Sequence, residues 1–177
     1  MQRKILGSAL LTAAALFAVL YHAKVARATP ASGFVGTTIA QGRLEQFEVF
    51  NHFILPNTKM RDDDRKFWLS IQKTKGSSDL YVQSNAWQPG GTTGWHSHPG
   101  HSLIIVTAGT VTDYEGDDPT CTPHVYTVGQ SFVDHGGNHT HIIRNEGSEV
   151  AGTIAVQLIP AGQPRRIDAA DPGTCHF

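Results

Sequence analysis

Three histidines fall within six residues in "GWHSHPGH", at His96, His98 and His101, and the chain then enters an apolar, β-branched run, "SLIIV". A second group, His135, His139 and His141 in "DHGGNHTHII", also precedes an apolar run. Seven of the ten histidines lie between positions 96 and 141, a concentration that calls for a chemical reason. Neutral imidazole is the most common metal ligand among side chains. Residues two apart on a strand project to the same face, so His96 and His98 point together, as do His139 and His141. Two such pairs on different strands can converge inside a small barrel, where inward positions meet. The chemistry open to them is that of a bound metal: Lewis-acid activation of water, or chelation of an anionic ligand.

The elements around these residues read as strands. "RLEQFEVF" and "KFWLSIQ" have partial period-2 character, and "LPNTKMRDDDRK" between them reads as an exposed loop of mixed charge. Beyond Gly76 the runs "DLYVQSNAWQ", "SLIIVTAGTVTDYEG", "HVYTVGQSFVD", "THIIRNEG" and "VAGTIAVQLIP" are short, β-favouring and closed by Gly, Pro, Asp or Asn. Closely spaced strands with turn signals predict an all-β sandwich or barrel. From Ala28 to about Gly42 the composition is that of a linker or an extended arm. The tail "PAGQPRRIDAADPGTCHF" is too rich in Pro and Gly for a core strand and is expected to wrap the outside.

Two blocks resemble the paired motifs of the cupin superfamily, small β-barrels of the jelly-roll type. Gly90, His96, His98 and Gly109 stand where the pattern G-x5-H-x-H-x3-E-x6-G requires them. Gly129, Gly137, His141 and Asn145 follow G-x5-P-x-G-x2-H-x3-N, with His135 in the proline position and one extra residue before His141. His141 is matched in preference to His139 because it keeps the four-residue step to Asn145. The resemblance covers about residues 79–160. It implies a single jelly-roll barrel with a metal on His96, His98 and His141.

The departures bear on chemistry. Ser102 occupies the position of the usual glutamate ligand, and a hydroxyl is a poor ligand for most divalent metals. The resemblance therefore implies three neutral ligands, as in the thiol dioxygenases, and a metal that keeps its full charge. His101 is turned away by strand alternation unless a bulge at Pro99-Gly100 reverses it. Ser102, His101, His139 and Tyr81 are candidates for a supporting shell around the ligands. Imidazole-only sites accept zinc, iron, copper, nickel or manganese, so the ligands do not name the divalent transition metal.

The start of the chain has the layout of a secretory signal peptide: Arg3 and Lys4, an apolar run from Ile5 to Tyr21, then Ala26-Arg27-Ala28 with cleavage expected after Ala28. Removal of residues 1–28 leaves ten basic against fifteen acidic side chains, a net charge of −5. A mildly acidic surface without basic stripes argues against nucleic-acid binding. Nothing after residue 28 is long and apolar enough to span a bilayer. In an exported chain the two cysteines, Cys121 and Cys175, are expected to form a disulfide that ties tail to body.

The organisation read from these features is a signal peptide at 1–28, an arm with leading strands at 29–78, a barrel at 79–160 and a tethered tail at 161–177. The expected function is an exported metal-binding protein with a three-histidine site for a small polar ligand or substrate. Oxidative or hydrolytic metal chemistry is the natural class if it is an enzyme. The alternative is a non-catalytic binding module of the cell envelope, and a homodimer is compatible with either. Fold does not choose between them.

Overall fold

A computed structural model describes residues 28–54, 67–137 and 139–177. The expected signal peptide up to residue 27 and most of the mixed-charge loop lie outside the described residues. Among the described residues there is no helix. Twelve strands form: β1 (Ser32–Leu44), β2 (Glu48–Ile54), β3 (Phe67–Lys73), β4 (Ser78–Thr92), β5 (His96–Ser97), β6 (Ser102–Ala108), β7 (Thr110–Glu115), β8 (His124–Thr127), β9 (Ser131–Asp134), β10 (His141–Arg144), β11 (Ala151–Pro160) and β12 (Ile167–Asp168). Ten of them make one antiparallel sheet that curls into a nearly closed barrel, as the alternating runs predict.

Long β4 is the spine, paired with β11 from Ser78 to Trp87 and with β1 along the other edge. The arm thus continues the barrel sheet. On β6, Ser102, Ile104 and Val106 are buried while Leu103 and Ile105 are exposed, the alternation of a strand with one face on a core. Trp87, Ile104, Val106, Val111, Phe132 and Ile143 pack as the main core. A second cluster joins Trp95, Tyr114, Ile142 and Cys175 at the other end.

The tail is tied down as expected. Cys121 and Cys175 form a disulfide across 54 residues of sequence, and β12 pairs with β5, setting Asp168 opposite His96. The first described residues are anchored beside it: Thr29 donates its N–H to the Ala169 carbonyl at 3.1 Å, and its Oγ1 accepts from Trp95 N at 2.6 Å. Strands β2 and β3 form a separate two-stranded ribbon in which Phe50, Phe53, Ile54, Phe67, Trp68 and Ile71 are all exposed.

A candidate metal centre

Two strand starts and one turn bring the histidines together. His96 and His98 flank the short strand β5 and its turn, and His141 opens β10, in register with His96. His96 and His141 are almost wholly buried and His98 nearly so. One ring nitrogen from each of the three lies within 4.8 Å of the others. The ring centroids are 4.6 to 5.7 Å apart, as close as rings sharing one centre can pack.

The other ring nitrogens explain the orientation. His96 Nδ1 bonds the Gly94 carbonyl at 2.9 Å, His98 Nδ1 bonds the Arg165 carbonyl, and His141 Nδ1 bonds Asp113 Oδ1 at 3.1 Å. Each acceptor fixes a proton on Nδ1 and leaves Nε2 with a free lone pair, the tautomer a metal requires. His141 Nε2 is buried with no hydrogen-bond partner. An orphaned buried acceptor is costly unless something fills it, and a cation does so. The residues present therefore fit a metal.

Electrostatics divide the three. Burial, reinforced by the charges of His141, His98 and Arg166, holds His96 well below the ordinary histidine value. Burial also lowers His98, with Asp134 partly opposing it. Burial would lower His141 too, but the hydrogen bond and charge of Asp113, helped by Asp134 and Glu115, outweigh it and the value is raised.

The rings open onto a cavity of about 140 Å3 lined by Gln83, Asn85, Trp87, Ser102, Asp134 and Gln157, with Arg165 and Arg166 at its edge. Ser102, at the motif's glutamate position, is inward and buried. Tyr81 shares the inward face of β4 but stands nearer the rim, with the Arg165 guanidinium 5.4 Å above its ring. His101 faces the far side of the wall, beside Lys73, Lys75 and Pro160. His139 lies 3.1 Å from Glu115 and 3.4 Å from Asp117, outside the cluster.

Two acids in the site are not fixed positions of either motif: Asp113 lies between the blocks, and Asp134 is an unspecified residue of the second. Asp113 orients His141, and the Asp134 side chain, almost fully buried, lies 3.4 Å from His98 Nε2 and 4.0 Å from His141 Nε2. Beside the three neutral imidazoles, a carboxylate that the motif reading did not single out lines the cavity, carried by β9. The signal was in the alternation, which sets Phe132 and Asp134 inward in "SFVD". An acid at an inward position needs a partner, and the histidines are its neighbours.

No protein-family model matches this sequence, and no curated protein is similar to it. Among solved structures, an oxalate oxidase is similar at 20% identity over 46% of each chain, with a TM-score of 0.40. A protein described as a predicted oxalate decarboxylase from Thermotoga maritima matches at 17% identity over 48% of this chain and 83% of its own, TM-score 0.39. The polyketide cyclase RemF from Streptomyces resistomycificus matches at 18% identity over 52% of this chain and 64% of its own, TM-score 0.43. The chain spans about half the length of the oxalate oxidase.

Proposed function

We propose, on the premise that this chain is a cupin by its two motif blocks and the barrel they build, that it is an exported protein holding a divalent transition metal on His96, His98 and His141. The observation that carries the reading is the set of three Nδ1 bonds, which turns the Nε2 side of each ring toward the other two and leaves His141 Nε2 buried without a hydrogen-bond partner. A metal bound there supplies Lewis acidity and open positions for oxidative or hydrolytic chemistry.

The chain's own groups do the rest. The Gly94 and Arg165 carbonyls and Asp113 hold the rings in one tautomer. Gln157 donates Nε2 to the Arg165 carbonyl at 3.2 Å and keeps Oε1 unpartnered toward the cavity. Arg165 and Arg166 are among the lining residues, Arg166 being held by Asp168 and the Thr93 carbonyl, and their charge favours an anionic ligand. A cavity of this size admits a molecule of only a few heavy atoms. The substrate class is thus a small polar anion.

Export is supported by the disulfide, which persists in oxidising compartments, and cleavage after Ala28 would leave Thr29 at a point already pinned to Ala169 and Trp95. A homodimer is supported by two exposed apolar surfaces, the β2–β3 ribbon and the outer side chains Leu103, Ile105 and Val133. The test is metal content of protein purified without chelator or polyhistidine tag, beside a His96→Ala/His98→Ala double variant. One equivalent of transition metal that vanishes in the variant is expected. No metal in either, even after anaerobic loading with iron, zinc and copper, leaves the non-catalytic binding module as the better reading.

A further inference from the structure

The family pattern places a glutamate at position 102 of β6, and this chain has serine there. Ser102 is paired directly with Asp134 across the β6–β9 ladder, so the two side chains share one inward face as neighbours. Ser102 Oγ donates to Asp134 Oδ2 at 3.1 Å, and Gly136 N donates to Asp134 Oδ1 at 3.0 Å. Each carboxylate oxygen thus has one bond that aims it and one lone pair remaining. The backbone is shaped to allow this. Gly136 has φ +64°, and a Cβ there would collide with the Gly100 carbonyl, so β9 and the turn after His98 approach more closely than side chains permit.

We infer that Asp134 is the fourth, anionic ligand of the metal, a carboxylate moved from β6 to the neighbouring strand, with Ser102 as the residue that positions it. The inference rests on the three-histidine reading above. Two atoms bound to one ion through bonds of about 2.0–2.2 Å lie about 3 to 4.2 Å apart. Asp134 Oδ2 lies 3.4 Å from His98 Nε2 and Oδ1 lies 4.0 Å from His141 Nε2, so each oxygen stands at such a separation from one of these two histidines. Burial supplies the second reason. A carboxylate with a side chain only 1% exposed requires a positive partner. Arg166 directs its guanidinium to Asp168 and to the Thr93 carbonyl. Arg165 lies over the Tyr81 ring, so the positive partner of Asp134 comes from the histidine cluster: a proton on His141 when the site is empty, and the ion when it is filled. A short aspartate from β9 reaches the same space that a longer glutamate from β6 would fill, and serine both vacates the volume and hydrogen-bonds the newcomer.

The consequence for the site is one negative charge in the coordination sphere. It strengthens retention of a divalent ion and lowers the net charge that an anionic substrate meets. Ser102→Glu combined with Asp134→Ser returns the carboxylate to β6 and separates the role of the charge from that of the strand bearing it.

The experiment measures Zn2+ affinity by competition with a chromophoric chelator and the visible spectrum of the Co2+ form. Wild type, His141→Ala, Asp134→Asn and the Ser102→Glu/Asp134→Ser pair are compared, with circular dichroism of each. Asp134→Asn is expected to weaken Zn2+ binding by more than about 100-fold, beyond the loss typical of a group that only supports a ligand, and to change the Co2+ spectrum. The double variant is expected to recover to within about tenfold. An infrared difference spectrum of wild type on Zn2+ loading should contain a shifted carboxylate stretch, a readout that holds even where a variant fails to fold. Zn2+ binding with no carboxylate shift, or Asp134→Asn matching wild type in affinity and spectrum, overturns the inference and leaves the three-histidine site standing. Failure of wild type to bind Zn2+ or Co2+ removes both.

Discussion

The histidine cavity and the β2–β3 ribbon are built from the same kind of strand and end in opposite conditions. In the cavity, polar side chains are buried, and a hydrogen bond to Nδ1 sets the orientation of each imidazole. In the ribbon, aromatic and aliphatic side chains are paired strand to strand and left open to solvent. A two-stranded ribbon is marginal by itself in water, whereas the cavity is enclosed by a ten-stranded sheet. The difference teaches where substitutions should matter. Cavity residues act through a shared centre and should couple strongly, while ribbon residues should affect association and little else.

The largest test of that contrast is loss of a ligand. His96→Ala or His141→Ala is expected to abolish stoichiometric metal binding at micromolar protein, read by elemental analysis. Phe50→Ser in the ribbon should leave metal content untouched.

Next in size is the staple between tail and body. Cys121→Ser/Cys175→Ser is expected to lower unfolding free energy by up to about 4 kcal/mol, the chain-entropy value for a loop of this length, measured by denaturant titration. Because the tail also supplies the carbonyl that holds His98, the same variant should lose metal affinity.

Asp113→Asn should be milder, about 10- to 100-fold in metal affinity, since Asp113 acts through His141. An effect of twofold or less would mean that the tautomer of His141 is set elsewhere.

Protons give a smaller effect with a definite sign. The folded apo protein keeps His96 and His98 neutral where the unfolded chain binds protons, so below the ordinary value of 6.5 these residues make stability fall as pH falls. His141, with its raised value, contributes stability that is full below 6.5 and is lost as pH rises through its folded value. Melting of the apo form at pH 5, 6 and 7 should show an acid loss that shrinks in His96→Asn. Zn2+ affinity should instead rise with pH, since binding requires His141 to release its proton.

The smallest expected change is in the ribbon. Phe50→Ser or Ile71→Ser should alter unfolding free energy by no more than about 0.5 kcal/mol, as is usual for exposed positions. A dimer contact there would show in sedimentation, with the variant shifted toward monomer.

Much of this arrangement was legible in the residues, and for physical reasons. Period-2 runs closed by turn residues specify strands, so "SLIIVTA" and "VAGTIAVQLIP" gave β6 and β11 with little ambiguity. Histidines two apart before a strand announced His96 and His98 as a pair, while His141 was preferred to His139 through the motif resemblance of its block and not through spacing. The pair of cysteines announced its bond. Asp134 and Asp113 were harder to see, because sequence distance hides the pairing of β9 with β6 and of β10 with β7. Spacing along one strand carries no record of what stands across the ladder. The clamp on His98 was hidden for a stronger reason: it is a backbone carbonyl, which has no residue type to read.

That carbonyl has a consequence for how the protein is made. Arg165 follows all three histidines in the chain, and so do Arg166 and Cys175. A polypeptide is synthesised from its N-terminus. The three imidazoles therefore emerge before the group that aims one of them, and before the cystine that fastens that group in place. The histidine cluster, with its rings fixed, is among the last things the growing chain can complete.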